Sequence, residues 1–143
     1  MDRIILLVED DRNDEDLTLR AVRKNIRHVV VVTRDGTEAL DFLFGTGDYE
    51  GRDLAVSPSL ILLDLKLPKV NGFEVLRRIR GNTRTCCIPV VIFSSSTEEQ
   101  DVLDSYNLGA NSYICKPDDY DVFCNTLKQV AAYWLSLNKV PMR

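Results

Sequence analysis

Four polar stretches carry the chemistry this chain offers: Glu9-Asp10-Asp11, Asp64, Ser94 and Lys116-Pro117. Together they bring carboxylates, a hydroxyl and an ammonium. Each follows an apolar run, namely Ile4-Ile5-Leu6-Leu7-Val8, Leu60-Ile61-Leu62-Leu63, Val90-Val91-Ile92-Phe93 and Tyr113-Ile114-Cys115. In a parallel α/β sheet the ends of such buried strands lie along one edge, where open sheets of this kind bind ligands. Carboxylates from the first and third runs, set side by side, repel by several kcal/mol at an intermediate dielectric, so a proton or a cation has to join them. Oxygen donors without histidine or thiolate select Mg²⁺ or Mn²⁺ over zinc. A carboxylate beside such an ion is also a nucleophile toward phosphorus, because the cation screens its repulsion from the incoming oxygens, and Asp64 is the best candidate. The resulting acyl phosphate adds three acceptor oxygens, for which Lys116 and Ser94 are a charged and a neutral donor.

The elements that must position these residues alternate along the chain. After the first strand, Asn13 or Asp14 is expected to cap a helix carrying Leu17, Ala21 and Val22. Val29 to Val32 reads as a second buried strand, and Asp35-Gly36-Thr37 opens a helix with Ala39, Leu40, Leu43 and Phe44. Gly45 to Ser59, with three glycines and Pro58, is an insertion-like loop. The third strand, Leu60 to Leu63, leads through Pro68 and an Asn71-Gly72 turn to a helix with Phe73, Val75, Leu76 and Ile79 that ends at Gly81. Pro89 introduces the fourth strand. Thr97 and Gln100 have capping-box spacing for the next helix, which Leu108-Gly109 closes, and the fifth strand spans Asn111 to Cys115. A last helix is expected from about Asp119 to about Asn138, with Phe123, Leu127, Val130, Trp134 and Leu137 on one stripe. Strands that are apolar throughout, each followed by a helix, imply an α/β fold: a doubly wound, five-stranded parallel sheet with helices on both faces.

Bulk properties narrow the function. A chain of 143 residues suits one domain. A net charge of −4 gives no electrostatic case for nucleic acid. No apolar run approaches the roughly 20 residues of a membrane span, and Met1-Asp2-Arg3 leads into a strand pattern and not a signal peptide, so a cytoplasmic protein is expected. The four cysteines fit neither a disulfide framework nor C-x-x-C spacing, and four reduced thiols are expected, with Cys115 and Cys124 serving as small hydrophobes. His28, the one histidine, stands far in sequence from the polar stretches. Gly45-x-Gly47 lacks the strand-to-helix context of a dinucleotide fingerprint. Each polar stretch taken alone has a duller reading as a solvated loop, a turn former or a helix start; it is their joint order that singles them out.

In that order the chain resembles a response-regulator receiver domain of two-component signalling, and the resemblance spans its whole length. It rests on the acidic pair after the first strand, Leu-Leu-Asp64 followed by Leu67-Pro68 and Asn71-Gly72, Ser94 thirty residues after Asp64, and Lys116-Pro117. The resemblance implies a flavodoxin-like fold with strand order 2-1-3-4-5, and a single receiver domain over residues 1–143 without an output domain. It implies that a sensor histidine kinase phosphorylates Asp64, that Glu9, Asp10, Asp64 and the Lys66 carbonyl hold Mg²⁺ or Mn²⁺, and that Lys116 contacts the phosphoryl group. Ser94 would be the switch hydroxyl and Tyr113 the aromatic that follows it inward. The loop before Pro58, the Gly109-Ala110-Asn111-Ser112-Tyr113-Ile114 segment and the Tyr133-Trp134-Leu135 ending with Pro141 are similar to single-domain receivers partnered with bacterial phytochromes.

Output would then pass through protein contact, to a downstream phosphotransfer protein or to a second copy. Tyr133, Trp134, Leu135 and Leu137 form an apolar cluster that one helix face does not easily bury, so a homodimer through that end is expected. The competing reading is a Mg²⁺-dependent phosphatase or phosphotransferase with an aspartyl-phosphate intermediate, in which the chain would be an enzyme and not a phosphoacceptor with only self-phosphotransfer and autodephosphorylation chemistry. Such enzymes usually place Asp-x-Asp after the first strand and carry a cap. Two departures from the receiver pattern stand out. Ser94 replaces the commoner threonine, and Lys66 sets a long cation where the path of hydrolytic water runs, so it is expected to influence the acyl-phosphate lifetime.

Overall fold

The computed structural model describes residues 3–23 and 28–141, so the Met1-Asp2 opening lies outside the described residues. Five strands, β1 (Arg3–Val8), β2 (His28–Thr33), β3 (Pro58–Leu63), β4 (Val90–Ser94) and β5 (Ser112–Cys115), form one parallel sheet in the order β2-β1-β3-β4-β5. Five helices cover it: α1 (Arg12–Arg23), α2 (Gly36–Phe44), α3 (Gly72–Arg80), α4 (Glu99–Asn107) and α5 (Tyr120–Ala132). This is the expected doubly wound, flavodoxin-like arrangement.

Successive strand residues point to opposite faces, so the sheet separates two cores. Leu6, Val8, Ile61, Leu63 and Ile92 meet Leu40, Leu43, Val75, Leu76 and Ile79 of α2 and α3 on one face. On the other, Ile5, Leu7, Leu60, Leu62, Val91 and Phe93 meet Ala21, Val22, Phe123, Leu127 and Val130 of α1 and α5. Each fully buried aliphatic side chain contributes roughly 1.5–3 kcal/mol. Continuous apolar strands are therefore what a sheet covered on both sides requires.

Several local expectations change. β2 is an edge strand and not a buried one, with Val29 48% exposed, because only β1 pairs with it. Asp11, and neither Asn13 nor Asp14, caps α1, its Oδ1 accepting the Asp14 N–H at 2.9 Å. The Thr97–Gln100 capping box does not form. Instead Ser96 Oγ accepts from Glu98 N at 3.3 Å and donates to Asp101 Oδ2 at 2.6 Å. Cys115 is exposed at the end of a half-covered strand, and none of the four cysteines forms a disulfide.

The last helix departs most. After Ala132 the chain widens into a π-helical turn, Tyr133–Leu137, closed by Asn138 N–H to Tyr133 O at 2.7 Å. The wider turn shifts the stripe by one residue, so Leu135 is buried in the α1–α5 core while Leu137 is 78% exposed. Leu135 thus leaves the apolar cluster assigned to a dimer surface. Tyr133 remains exposed and packs edge-on against the half-buried Trp134 at 5.0 Å.

At the opposite edge from the strand ends, arginines fasten the loops. Arg52 reaches the Phe42 and Val56 carbonyls at 2.6 and 2.7 Å, which ties the Gly45–Ser57 loop to the end of α2, and Arg84 from the α3–β4 connection bonds the Leu43 carbonyl. That loop also contains a short 3-10 turn, Gly47–Tyr49.

Candidate functional site

The four polar stretches meet because the strand ladders run one residue past their strands. Glu9 N–H bonds Thr33 O at 3.0 Å, Asp64 N–H bonds Val8 O at 3.1 Å, and Lys116 N–H bonds Ser94 O at 2.7 Å. All three residues therefore sit on the carboxyl edge of the sheet with their backbones held. The start of α3 lies directly against Asp64: a Cβ added at Gly72 would stand 2.3 Å from the Asp64 carbonyl oxygen. Asn71 caps that helix through Glu74 N–H at 3.0 Å.

Asp64 is buried, and its Oδ1 accepts the Leu65 N–H at 2.7 Å. Its Oδ2 lies 3.0 Å from Lys116 Nζ, which also bonds Glu9 Oε1 at 2.7 Å and Asp14 Oδ2 at 2.8 Å. The Lys116 side chain is 8% exposed, so this ion cluster has little solvent screening. Burial alone would lower the Lys116 pKa; the hydrogen bond to Asp14 and the charges of Asp64 and Glu9 outweigh it and raise the pKa. Burial pushes Glu9 up to about 8, against the pull of Lys116 and helped by the charge of Asp64. One ammonium does not neutralise three carboxylates.

Asp10 is exposed beside them, and carboxylate oxygens of Glu9, Asp10 and Asp64 all lie within 4.8 Å of one another. Surplus negative charge on hard oxygen donors, two of them buried, fits a divalent metal ion of the Mg²⁺ or Mn²⁺ class. This cluster can bind such an ion. Lys66, two residues on, is exposed.

Ser94 is fully buried, its Oγ accepting the Ser96 N–H at 3.2 Å. Tyr113 Oη donates to the Ser96 carbonyl at 2.9 Å, and the Cys115 thiol points at the same oxygen at 3.5 Å. Burial pushes the Tyr113 phenol up, opposed by its hydrogen bonds to Ser96 and Ser94. Ser94, Tyr113 and the start of α4 are thus joined through one residue, Ser96.

The sequence reading missed two residues. Asp14 appears there only as a possible cap, yet it is the third carboxylate on Lys116. The available signal was Asp11, which stands three residues earlier and takes the capping role. Ser96 carries no signal of its own in the sequence, because its role depends on a contact with a strand 17 residues further along.

Residues 5–128 match the response regulator receiver domain family. The chain belongs to that family. Response regulator Rcp1 of Synechocystis sp. is 37% identical over 140 residues, 97% of this chain and 93% of that protein. The Mn²⁺-bound crystal structure of Rcp1 superposes with a TM-score of 0.91, covering 98% of this receiver and 99% of that chain at 37% identity. The phosphorylated cyanobacterial phytochrome response regulator RcpA is 38% identical with a TM-score of 0.93, over 99% of this chain and all of that one. The bacteriophytochrome response regulator AtBRR is 46% identical with a TM-score of 0.76, covering 97% of this chain and 99% of its own. This receiver is accordingly a phosphorylation switch of two-component signalling, a family phosphorylated by histidine kinases, and nothing in these likenesses favours the phosphatase alternative. Among the described residues, no helix is long and apolar enough to cross a membrane.

Proposed function

We propose that Asp64 accepts a phosphoryl group from a histidine kinase and that this chain acts as a single receiver domain whose output is a change in protein contacts. The carrying observation is the convergence on Asp64 Oδ2 of a buried ammonium at 3.0 Å, beside two further carboxylates that fit a divalent ion. In the transfer the P–N bond of the phosphohistidine breaks as the P–O bond to Asp64 forms, and the imidazole takes up a proton. Glu9, Asp10, Asp64 and the Lys66 carbonyl would hold Mg²⁺. When bound, the ion offsets charge on the phosphoryl oxygens and on the carboxylates. Lys116, with charge divided among Glu9, Asp14 and Asp64, turns to the new oxygens. Ser94 donates its hydroxyl to them, and because Ser96 links Ser94 to Tyr113 and α4, that shift biases the α4–β5–α5 surface by displacing an existing equilibrium. Lys66 tunes how long the acyl phosphate survives, and autodephosphorylation ends the signal.

The relatives named as phytochrome response regulators support a phytochrome kinase as the donor. A downstream phosphotransfer protein or a second copy would read the switch. Exposed Tyr133 and Leu137, with Trp134 between them, support a homodimer through the C-terminal turn, which sedimentation with and without beryllofluoride tests. The deciding experiment incubates wild type and Asp64→Asn with acetyl phosphate and Mg²⁺ and reads the intact mass. The expected result is one phosphoryl group on wild type and none on the variant. A labelled variant, or multiple turnover of a phosphate ester, overturns the reading.

A further inference from the structure

The Lys116 ammonium has three hydrogens and three carboxylate partners: Glu9 Oε1 at 2.7 Å, Asp14 Oδ2 at 2.8 Å and Asp64 Oδ2 at 3.0 Å. Glu9 and Asp64 also belong, with Asp10, to the carboxylates that fit a divalent ion, and among the described residues Asp14 stands outside that group. Nor is the Asp14 carboxylate the cap of α1, since Asp11 accepts the Asp14 N–H in that role. The Asp14 side chain is directed at Lys116.

Both members of this pair are held by their backbones. The Asp14 N–H donates to Asp11 Oδ1 at 2.9 Å, and the Asp14 carbonyl accepts the hydroxyl of buried Thr18 at 2.7 Å. Asp14 lies in the first turn of α1, where a helix end favours a carboxylate. The Lys116 N–H is fixed on Ser94 O at 2.7 Å. Lys116 is 8% exposed and Asp14 26%, so water reaches the ammonium poorly. Withdrawing Glu9 and Asp64 toward a cation would strip that buried ammonium of two of its three anions, and a buried charge without partners is strongly unfavourable. Asp14 is placed to keep it paired.

We propose that Asp14 is a positioning residue for metal binding at Asp64: it retains the Lys116 ammonium while Glu9 and Asp64 turn to the cation. The inference rests on the reading of Glu9, Asp10 and Asp64 as metal ligands. It gives Asp14 an effect exerted through Lys116, which differs from the general attraction of any nearby negative charge for a cation. An ammonium still bonded to Asp14 also stays anchored beside Asp64, where a phosphoryl group brings new acceptor oxygens.

The test titrates Mg²⁺ by calorimetry into metal-free wild type, Asp14→Ala, Lys116→Met and the double variant, with a urea midpoint to establish that each is folded. Asp14→Ala should bind Mg²⁺ about tenfold more weakly than wild type, the worth of one hydrogen bond between charged groups. In the Lys116→Met background the same substitution should change the affinity less than about threefold, because the ammonium it acts on is gone. An equal loss in both backgrounds is plain charge attraction and overturns the proposal. Wild-type affinity in Asp14→Ala also overturns it, and that outcome needs no Lys116 variant to fold. A wild type that binds no Mg²⁺ overturns the metal reading and this inference with it, whereas a wild type that binds Mg²⁺ beside an unaffected Asp14→Ala overturns this inference alone.

Discussion

At the carboxyl edge of the sheet Lys116 meets three carboxylates, whereas at the amino edge Arg80 meets the carbonyls of Gly109, Cys86 and Ile88 and the Asn111 amide oxygen. Both cations are partly or wholly withdrawn from water, yet their surroundings differ in charge. The guanidinium fork forms four hydrogen bonds to neutral oxygens, three of them backbone carbonyls, which makes a fastener. The ammonium is a single charge divided among competing anions, so any new cation or anion redistributes its bonds. One end of the molecule is built to stay put and the other to be rearranged.

The sharpest way to break that contrast is to remove each cation. Lys116→Met leaves Glu9, Asp14 and Asp64 without their ammonium and should cost about 3–5 kcal/mol in urea unfolding at neutral pH, with much of it restored by Mg²⁺. A loss that Mg²⁺ does not touch would mean that the site is a static ion pair. Arg80→Ala strands acceptors on two segments, 86–88 and 109–111, and should cost roughly 2–4 kcal/mol, indifferent to Mg²⁺ and with phosphoryl incorporation retained.

A titration separates the two ends further. Glu9, raised from 4.5 to about 8, keeps in the folded chain a proton that the unfolded chain releases, so stability without metal should fall as pH rises between about 5 and 8. The slope from this group is at most about 1.4 kcal/mol per pH unit, and Glu9→Gln should flatten it. Unfolding midpoints across that window that are parallel for the two proteins would contradict the burial argument. The smallest effect belongs to Asp11→Ala, which removes the α1 cap and should cost about 1 kcal/mol, with phosphoryl transfer intact. Loss of transfer would place Asp11 in the ion cluster and not at its border.

The architecture and the polar cluster around Asp64 are legible in the chain because both depend on local regularity. Five apolar runs, each ending in a polar residue, specify a buried parallel sheet and the edge on which its chemistry lies. Helix ends were less legible: Asp11, Asn13 and Asp14 are all competent caps, and which one serves depends on where β1 releases the chain. Sequence alone also did not show that Val29 lies on an edge strand, since exposure follows from strand order and not from hydrophobicity.

What the sequence by itself determined is which groups are available: an acidic pair, Asp64, Ser94, Tyr113 and Lys116, each at a strand end or on the strand beside it. What only the tertiary structure decided is how their charges are shared. Asp14 competes for Lys116 across 102 residues of chain, Ser96 joins Ser94 to Tyr113, and a π-helical turn buries Leu135 in place of Leu137. Those outcomes turn on distances of about 3 Å between segments remote in sequence. Residue type and periodicity carry no record of such distances until the sheet brings the segments together.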